Sequence, residues 1–379
     1  MHYNYETMTT SLAPPVWVDS YDAMEAMITR LGDWPAIAVD TESNSLHAYR
    51  EQVCLIQFST EQVDFLLDPL ALPDLSPLSE IFTNSDLEKV FHAAEYDLIC
   101  LKRDFGFTVT SLFDTRWAVR ILGYPGDGLE RLLAEKFGVR LNKKFQKANW
   151  ARRPLNAEQI NYARLDTHYL LALKDMLQDE LVRKGLLELA IEDFRRACHV
   201  EMPESRPALW ERAKNGRQLS SRERTILKEL CECRERIAEK LDRPTFKVCS
   251  DKQLVDIAQL PPSHTDELLG LGLSHRQVQN WGRELMQAVA QGMAAPLVQR
   301  RRVRRPDEAF LERLEALKQW RKKVARNMKV ESDVVLPRSM MERLAEQTPG
   351  SLKQLQELML ESPWRFARFG PQLLQVMKG

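Results

Sequence analysis

Two carboxylates follow an apolar run near the start of the chain. The run AIAVDTES, Ala36–Ser43, alternates like a buried strand and then reaches Asp40 and Glu42. Side chains two residues apart on an extended backbone leave on the same side, so these two could hold one hard cation between them. Asp-Thr-Glu at the end of a strand is also typical of a turn that caps the next element. From this pair alone both interpretations stay open.

Two further acidic positions fall on predicted helices. Asp97, in FHAAEYDL, lies in the first turn of a helix, where a carboxylate complements the helix dipole, and Glu95 is an alternative in the same turn. Asp166 follows Tyr162 by four residues in YARLD, so the two share one helix face. Helix interiors disfavour Asp, so Asp166 needs a partner, whereas Tyr162 could simply pack.

The elements that must position these residues follow from apolar periodicity. Runs rich in β-branched residues predict neighbouring strands at 36–39, 53–59 and 63–67, then a helix at 75–82 and a strand at 89–91. Apolar spacing and glycine stops predict helices at 94–105, 114–122 and 129–137. After an irregular basic stretch at 140–155, Asn156 with Gln159 three residues on predicts the N-terminus of a long helix. A sheet followed by helices predicts an α/β domain.

The second half of the chain contains a repeat. LCECRERIA at 230–238 aligns with LKQWRKKVA at 317–325, a separation of 87 residues, and further apolar positions match at the same separation. Matches at one offset predict two copies of a helical module of about 80 residues. The sequence EMPESRP, at 201–207, predicts a linker before them.

Composition limits the class of protein. A length of 379 residues predicts two or three domains, and 44% apolar residues are enough for sizeable cores. No apolar run is long enough for a membrane helix, and the first ten residues lack the features of a signal peptide, so we expect a cytoplasmic protein. Six cysteines without a CxxC pair predict reduced thiols rather than a zinc site.

Charge is unevenly distributed, although the formal net charge is zero. From residue 300 onward there are 18 Lys and Arg against 10 Asp and Glu. A basic tail on an acidic body predicts an anionic partner.

Together, the acidic motifs resemble those of the DEDD superfamily of 3'-to-5' exonucleases. The superfamily has a strand with Asp-x-Glu, a helix-borne Asp and a helix with Tyr-x-x-x-Asp, and the matching residues here are Asp40 and Glu42, Asp97, and Tyr162 with Asp166. Asn161 stands where the other subtype has His, so the chain is similar to the tyrosine subtype. QKANWARRPL, at 146–155, resembles the stretch before the third motif in ribonuclease D and its exosome-associated relatives, and the repeated modules resemble HRDC domains.

The resemblance implies a domain layout. We expect an α/β ribonuclease H-like exonuclease domain, with a mixed sheet flanked by helices, at 1–205. Two all-α HRDC-type helical bundles should follow, an HRDC domain at 206–295 and a second HRDC-like domain at 296–379. HRDC domains imply binding or positioning of nucleic acid, so we expect the first domain alone to keep hydrolysis of short substrates.

The resemblance also implies a site and an activity. Asp40, Glu42, Asp97 and Asp166 would hold two divalent metal ions, Mg²⁺ or Mn²⁺, with Asp40 bridging them, and Tyr162 would orient the attacking water. The expected activity is 3'-5' hydrolysis of RNA to nucleoside 5'-monophosphates, in tRNA 3' maturation. The expected partner is RNA with a 3' extension such as a tRNA precursor, with no membrane and no obligate protein partner. The alternatives are a DNA 3'-5' exonuclease and an inactive nucleic-acid-binding scaffold.

Basic residues are candidates for nucleic-acid contacts, since phosphate contacts need no base preference. The candidates are Lys143, Lys144, Lys147, Trp150, Arg152 and Arg153 in one stretch, for which a solvated loop is the alternative, and Arg300, Arg301, Arg302, Arg304 and Arg305 in another. Near the motifs, Asp114 is interpreted as a helix N-cap, and His92 and His168 as non-catalytic.

Overall fold

The computed structural model describes residues 12–199, 209–212, 219–298 and 307–378. These residues form two compact units. The first contains 12–43, 53–199 and 307–378, and the second contains 44–52, 209–212 and 219–298. The predicted linker at 201–207 and the arginine run at 300–305 lie outside the described residues.

The first unit begins with alternating strands and helices. In order they are β1 (Val16–Val18), α1 (Tyr21–Gly32), β2 (Ala36–Ser43), β3 (Val53–Ser59), β4 (Asp64–Leu67), a 3-10 turn (Ser76–Leu78), α2 (Ser79–Thr83), β5 (Glu88–Phe91), α3 (Glu95–Phe105) and β6 (Leu112–Asp114). The sheet order is β1-β4-β3-β2-β5-β6, in which β3 pairs antiparallel with both β2 and β4 and the other pairs are parallel. The predicted mixed sheet is therefore confirmed.

Two faces of this sheet are covered. One face packs on α1 and α2 through side chains such as Ile37, Val39, Ile56 and Phe58. The other face carries Leu55 and Leu66 against the helices that follow. β3 is fully buried along its length, as expected for a central strand in the sequence VCLIQFS.

Helices complete the first part of this unit. They are α4 (Thr115–Leu122), α5 (Leu129–Phe137), a 3-10 helix (Lys143–Lys147), α6 (Ala157–His168), α7 (Leu170–Arg183) and α8 (Leu187–Cys198). Asn156 and Gln159 form the predicted capping box at the start of α6. The single long helix predicted from Asn156 is wrong, because the chain breaks at Tyr169 into α6 and α7. Thr167 and His168, just before the break, make polar contacts with the sheet.

The second unit is helical. It contains α9 (Leu209–Arg212), α10 (Ser221–Lys240), α11 (Thr245–Val248), α12 (Asp251–Gln259), α13 (Glu267–Gly270) and α14 (His275–Ala294). Residues 44–52, which connect β2 to β3, belong to this unit: the Tyr49 hydroxyl donates to Glu235 at 3.0 Å, and the Tyr49 amide donates to Asp242 at 3.0 Å.

Five more helices belong to the first unit. They are α15 (Glu308–Met328), α16 (Ser332–Val335), α17 (Arg338–Gln347), α18 (Leu352–Leu358) and α19 (Pro363–Lys378). Their order repeats that of α10 to α14, and the paired positions Leu230 and Leu317 are both fully buried. The predicted helical repeat is confirmed.

A buried ion cluster joins α19 to α8. Arg365, fully buried, donates to Glu192 and Asp193 at 2.9 Å, and also to the carbonyls of Val334 and Val335. Arg120 adds bonds to Glu331 and Asp333 beside α16. Residues 307–378 are therefore a structural part of the first unit, and the expectation that residues 1–205 alone keep hydrolysis of short substrates stays a prediction.

The described ranges contain no membrane-spanning helix and no disulfide bond. None of the helices there is long and apolar enough to cross a membrane. All six cysteines lie within these ranges, and none forms a disulfide.

Arg365→Met should strongly destabilise the protein. The change leaves Glu192 and Asp193 buried without their shared cation, and breaking a buried ion pair on one side costs about 3–5 kcal/mol. Urea unfolding of the full chain measures the loss. Arg338→Met is the matched control, since the Arg338–Glu342 pair is exposed, and it should leave the unfolding free energy nearly unchanged. Equal effects of the two changes would contradict the anchoring role of Arg365.

Candidate active site

The first two acidic residues lie inside a strand. β2 continues to Ser43, so Asp40 pairs with Gln57 and Glu42 with Leu55 of β3. The prediction that the strand ends at residue 39 is wrong, because the ladder with β3 continues until the register shifts after Glu42. Since alternate residues of a strand face the same side, both carboxylates leave β2 on one face of the sheet.

The third acidic residue comes from the first turn of α3. Asp97 is 7% exposed, whereas Glu95 is exposed, so the structure favours Asp97 of the two alternatives. Thr41 Oγ1 donates to Asp97 Oδ1 at 2.5 Å. This bond ties α3 to β2 at the residue between the two β2 carboxylates. Sequence reasoning gave Thr41 no role.

α6 supplies Tyr162 and Asp166 on one face. Asp166 is 6% exposed and accepts a hydrogen bond from the Tyr162 hydroxyl. The Tyr162 ring lies 5.6 Å from the ring of Phe145 and 6.1 Å from that of Trp150, measured between centroids. The tyrosine therefore both packs and donates a hydrogen bond.

Three of the carboxylates meet. Oxygen atoms of Asp40, Glu42 and Asp166 lie within 4.8 Å of one another, and the charge of Asp97 acts on all three. Carboxylate oxygens are the ligands that Mg²⁺ and Mn²⁺ prefer. The residues present therefore fit a divalent cation.

Burial and mutual repulsion make the carboxyl groups of the cluster more stable when they are protonated or bound to a cation than when they are free carboxylates. Burial raises the pKa of Asp97 to about 7 and that of Asp166 to about 8, although hydrogen bonds from Thr41 and Tyr162 act in the opposite direction. Burial, followed by repulsion from the other acids, also raises the pKa of Asp40 and Glu42. Cation binding would offset this repulsion.

Polar contacts fix α6 on the sheet. Ser59 Oγ lies 2.7 Å from Asp64 Oδ1 and 2.7 Å from Thr167 Oγ1. His168 Nδ1 lies 2.9 Å from Asp64 Oδ2. Because Thr167 and His168 directly follow Asp166, these contacts set the helix position that presents Asp166 to β2. His168 thus has a positioning contact of its own.

Two other candidates near the motifs have structural roles. Asp114 caps α4 by accepting from the amides of residues 116 and 117, and it also accepts from the amides of residues 93 and 94. His92 Nδ1 lies 2.9 Å from Thr115 Oγ1. Burial lowers the pKa of His92 to about 4, so its ring is neutral near pH 7.

The predicted basic stretch divides into two groups. Lys143, Lys144, Lys147 and Arg152 have exposed side chains, of which Lys143 pairs with Glu130 at 2.6 Å and Lys144 with Glu158 at 2.7 Å. These four stay predictions for nucleic-acid contact, as do Arg300, Arg301, Arg302, Arg304 and Arg305, which lie outside the described residues.

Trp150 and Arg153 require a correction. Trp150 is 1% exposed and packs beside Tyr162, so its ring has no surface to offer a nucleic acid. Arg153 donates to both oxygens of Asp68, at 2.5 and 2.7 Å, and to the Cys54 carbonyl. Both residues attach the basic stretch to the sheet, and the basic composition of the stretch gave no indication of this role.

Comparison with known proteins gives similarity along most of the chain. The 3'-5' exonuclease family matches residues 15–182, and the HRDC domain matches residues 223–289 and 310–377. The chain is 40% identical over 185 residues to the exosome complex exonuclease RRP6 of Saccharomyces cerevisiae, covering 48% of this chain and 25% of that protein. It is 30% identical over 298 residues to ribonuclease D of Gluconacetobacter diazotrophicus, covering 76% of this chain and 75% of that protein.

A solved structure is similar over nearly the whole length. Escherichia coli RNase D, described as an exoribonuclease involved in structured RNA processing, superposes with a TM-score of 0.69 at 27% identity. The match covers 97% of this chain and 99% of that chain. The matched part of the chain spans only 20% to 41% of the length of its RRP6 and exosome component 10 relatives.

The cluster predicts how stability depends on pH. The folded-state pKa values of Asp97 and Asp166, about 7 and about 8, exceed the ordinary value of 3.8. The folded state therefore binds more protons between these limits, and metal-free protein should lose stability as pH rises from about 4 to about 8. Asp166→Asn should raise the unfolding free energy near pH 8 in EDTA by about 1.4 kcal/mol or more, which corresponds to one pKa unit.

Urea unfolding in EDTA near pH 4 and near pH 8 measures this dependence. Asp86→Asn, an exposed acid in a turn, is the control and should have the same small effect at both pH values. If Asp166→Asn shifted stability equally at both pH values, the raised pKa would be contradicted.

Proposed function

Because this chain belongs to the ribonuclease D family, which joins a 3'-5' exonuclease domain to HRDC domains, we propose that it removes nucleotides from the 3' end of RNA in a metal-dependent reaction. The observation that carries the proposal is the meeting of Asp40, Glu42 and Asp166, with Asp97 tied to the same strand through Thr41.

We assign Asp40, Glu42, Asp97 and Asp166 as the residues that would hold two divalent cations, Mg²⁺ or Mn²⁺. Such cations, when bound, acidify an attacking water and stabilise charge on the leaving oxygen. The ladder between β2 and β3 holds Asp40 and Glu42 at a fixed spacing, while Thr41 holds Asp97. Catalysis then needs little movement of the protein.

Tyr162 acts as a donor in this proposal. Burial, followed by the nearby carboxylates, raises the pKa of Tyr162, so the phenol keeps its proton at neutral pH. It therefore does not act as a base, and it would orient the attacking water by giving that water the hydrogen bond that it otherwise makes to Asp166. Attack on phosphorus breaks the bond to the 3' oxygen, which yields a nucleoside 5'-monophosphate and an RNA with a new 3'-hydroxyl.

The substrate proposed is a structured RNA with a 3' extension, such as a tRNA precursor. The exposed Lys143, Lys144, Lys147 and Arg152 support contact with a phosphate backbone. The yeast relative is named for an exosome complex, so the absence of an obligate protein partner stays a prediction, as does a cytoplasmic location.

Asp40→Asn should lower the rate of mononucleotide release at least about 100-fold, since removing one preorganised group that stabilises transition-state charge costs this much. The assay incubates 3'-hydroxyl RNA with Mg²⁺ or Mn²⁺ and separates nucleoside 5'-monophosphates by chromatography. Asp86→Asn serves as the control with an exposed acid. No release by the unaltered protein would favour the inactive scaffold, and equal release by Asp40→Asn would refute the assigned ligand.

Thr41→Val should slow the same reaction about tenfold, because loss of a hydrogen bond that orients a metal ligand typically has this effect. Thr41→Ser keeps the hydroxyl and should retain nearly full activity. A fully active Thr41→Val protein would show that the hydrogen bond from Thr41 is not required to position Asp97.

Matched RNA and DNA oligonucleotides test the choice of nucleic acid. We expect faster release from RNA than from DNA of the same sequence. Equal or faster release from DNA would favour the DNA exonuclease alternative.

A further inference from the structure

A glutamine lies in the middle of the apolar strand β3. Gln57 is fully buried, and neither Nε2 nor Oε1 of its carboxamide has a hydrogen-bond partner among the described residues. Buried amides are nearly always paired, because an unpaired one is strongly unfavourable. The only polar residue within the run VCLIQF therefore needs an explanation beyond packing.

The ladder places Gln57 beside the acidic cluster. Gln57 is directly opposite Asp40 in the pairing of β3 with β2. Opposite residues of an antiparallel pair project to the same face, with Cβ atoms about 4.5–5.5 Å apart. The carboxamide therefore leaves the sheet on the face that carries Asp40 and Glu42.

The next residues on this face of β3 relate Gln57 to α6. Leu55, two residues before Gln57, shares an apolar cluster with Ala163. Ser59, two residues after it, bonds to Thr167. Gln57 lies between these contacts, under the part of α6 that carries Asp166.

We propose that Gln57 is a positioning residue of the acidic cluster, whose carboxamide, through one buried water molecule, orients Asp40 and Asp166 for a divalent cation. The inference rests on the proposed function, because it concerns the cation that these carboxylates would hold. A carboxamide offers donors and an acceptor, and a buried water needs two to four polar partners, which Gln57, Asp40 and Asp166 provide.

A positioning role and a packing role of Gln57 predict different effects on cation affinity. A residue that serves only the core should support the metal-free fold, and its replacement should leave cation affinity unchanged. A residue that orients metal ligands should instead change cation affinity, typically 10- to 100-fold. Neither atom of the carboxamide bonds directly to the protein, so replacing it with an apolar side chain of similar length should change the stability of the metal-free fold little.

The test uses the full-length chain and Mn²⁺ alone as the probe. Titration calorimetry after removal of EDTA gives the Mn²⁺ dissociation constant, and urea unfolding in EDTA gives stability without metal. The variants are Gln57→Met and Gln57→Leu, with Asp40→Asn as a reference for a lost ligand. Ile56→Met is the matched control, because Ile56 is equally buried on the same strand but faces the opposite core.

We expect both Gln57 variants to be about as stable as the unaltered chain in EDTA and to bind Mn²⁺ about tenfold more weakly. Ile56→Met should bind Mn²⁺ within about twofold of the unaltered chain, as a volume-conserving core change should. Unchanged Mn²⁺ affinity in the Gln57 variants would overturn the proposal. So would an equal loss of affinity in Ile56→Met, or failure of both Gln57 variants to fold in EDTA.

The failure of the proposed function would look different. If the unaltered chain bound no Mn²⁺, or bound it no better than Asp40→Asn, the metal site itself would be refuted and the role of Gln57 with it. If Asp40→Asn lost Mn²⁺ binding while the Gln57 variants kept it, only the role of Gln57 would be refuted.

Discussion

Repulsion among four crowded carboxylates is the constraint on which the first unit depends. Two full charges about 5 Å apart repel by about 3 kcal/mol at an effective dielectric constant of about 20. Asp40 and Glu42 are partly buried and Asp97 and Asp166 are buried, so solvent screens them poorly. Flexible elements would let these groups move apart. The fold prevents this by fixing each of the three elements that carry them.

Each of those elements is held by directional bonds. The β2–β3 ladder sets the spacing of Asp40 and Glu42, and Thr41 holds the start of α3. Ser59 and Asp64 hold α6 at its last turn through Thr167 and His168. Apolar packing alone tolerates small shifts, whereas a hydrogen bond weakens steeply with distance and angle. Polar anchors are therefore suited to fix carboxylates against their own repulsion.

The sequence was sufficient for those features that depend on local spacing. The strand and helix periods put Asp40 with Glu42, and Tyr162 with Asp166, on common faces, and the repeat of 87 residues located the second helical module. The end of β2, the break at Tyr169 and the buried state of Trp150 depend on distant partners. Ser59 and Thr167 are 108 residues apart, and Arg153 and Asp68 are 85 apart. Gln57 is a polar residue inside an apolar run, which is a local signal, but no role was predicted for it from the sequence.

The position of the second helical module likewise depends on contacts that the sequence alone does not predict. Their sequences align, yet Arg365 of the second module is fully buried against Glu192 and Asp193 of α8, and no motif marks that contact. A buried ion pair contributes little net stability compared with an apolar contact, but it strongly disfavours arrangements that separate its members. It thus specifies where residues 307–378 attach.

The carboxylate cluster and Gln57 oppose folding until a cation binds, so cation binding should be linked to the stability of the first unit. The apolar faces of the sheet and the Arg365 cluster must therefore keep the metal-free unit folded.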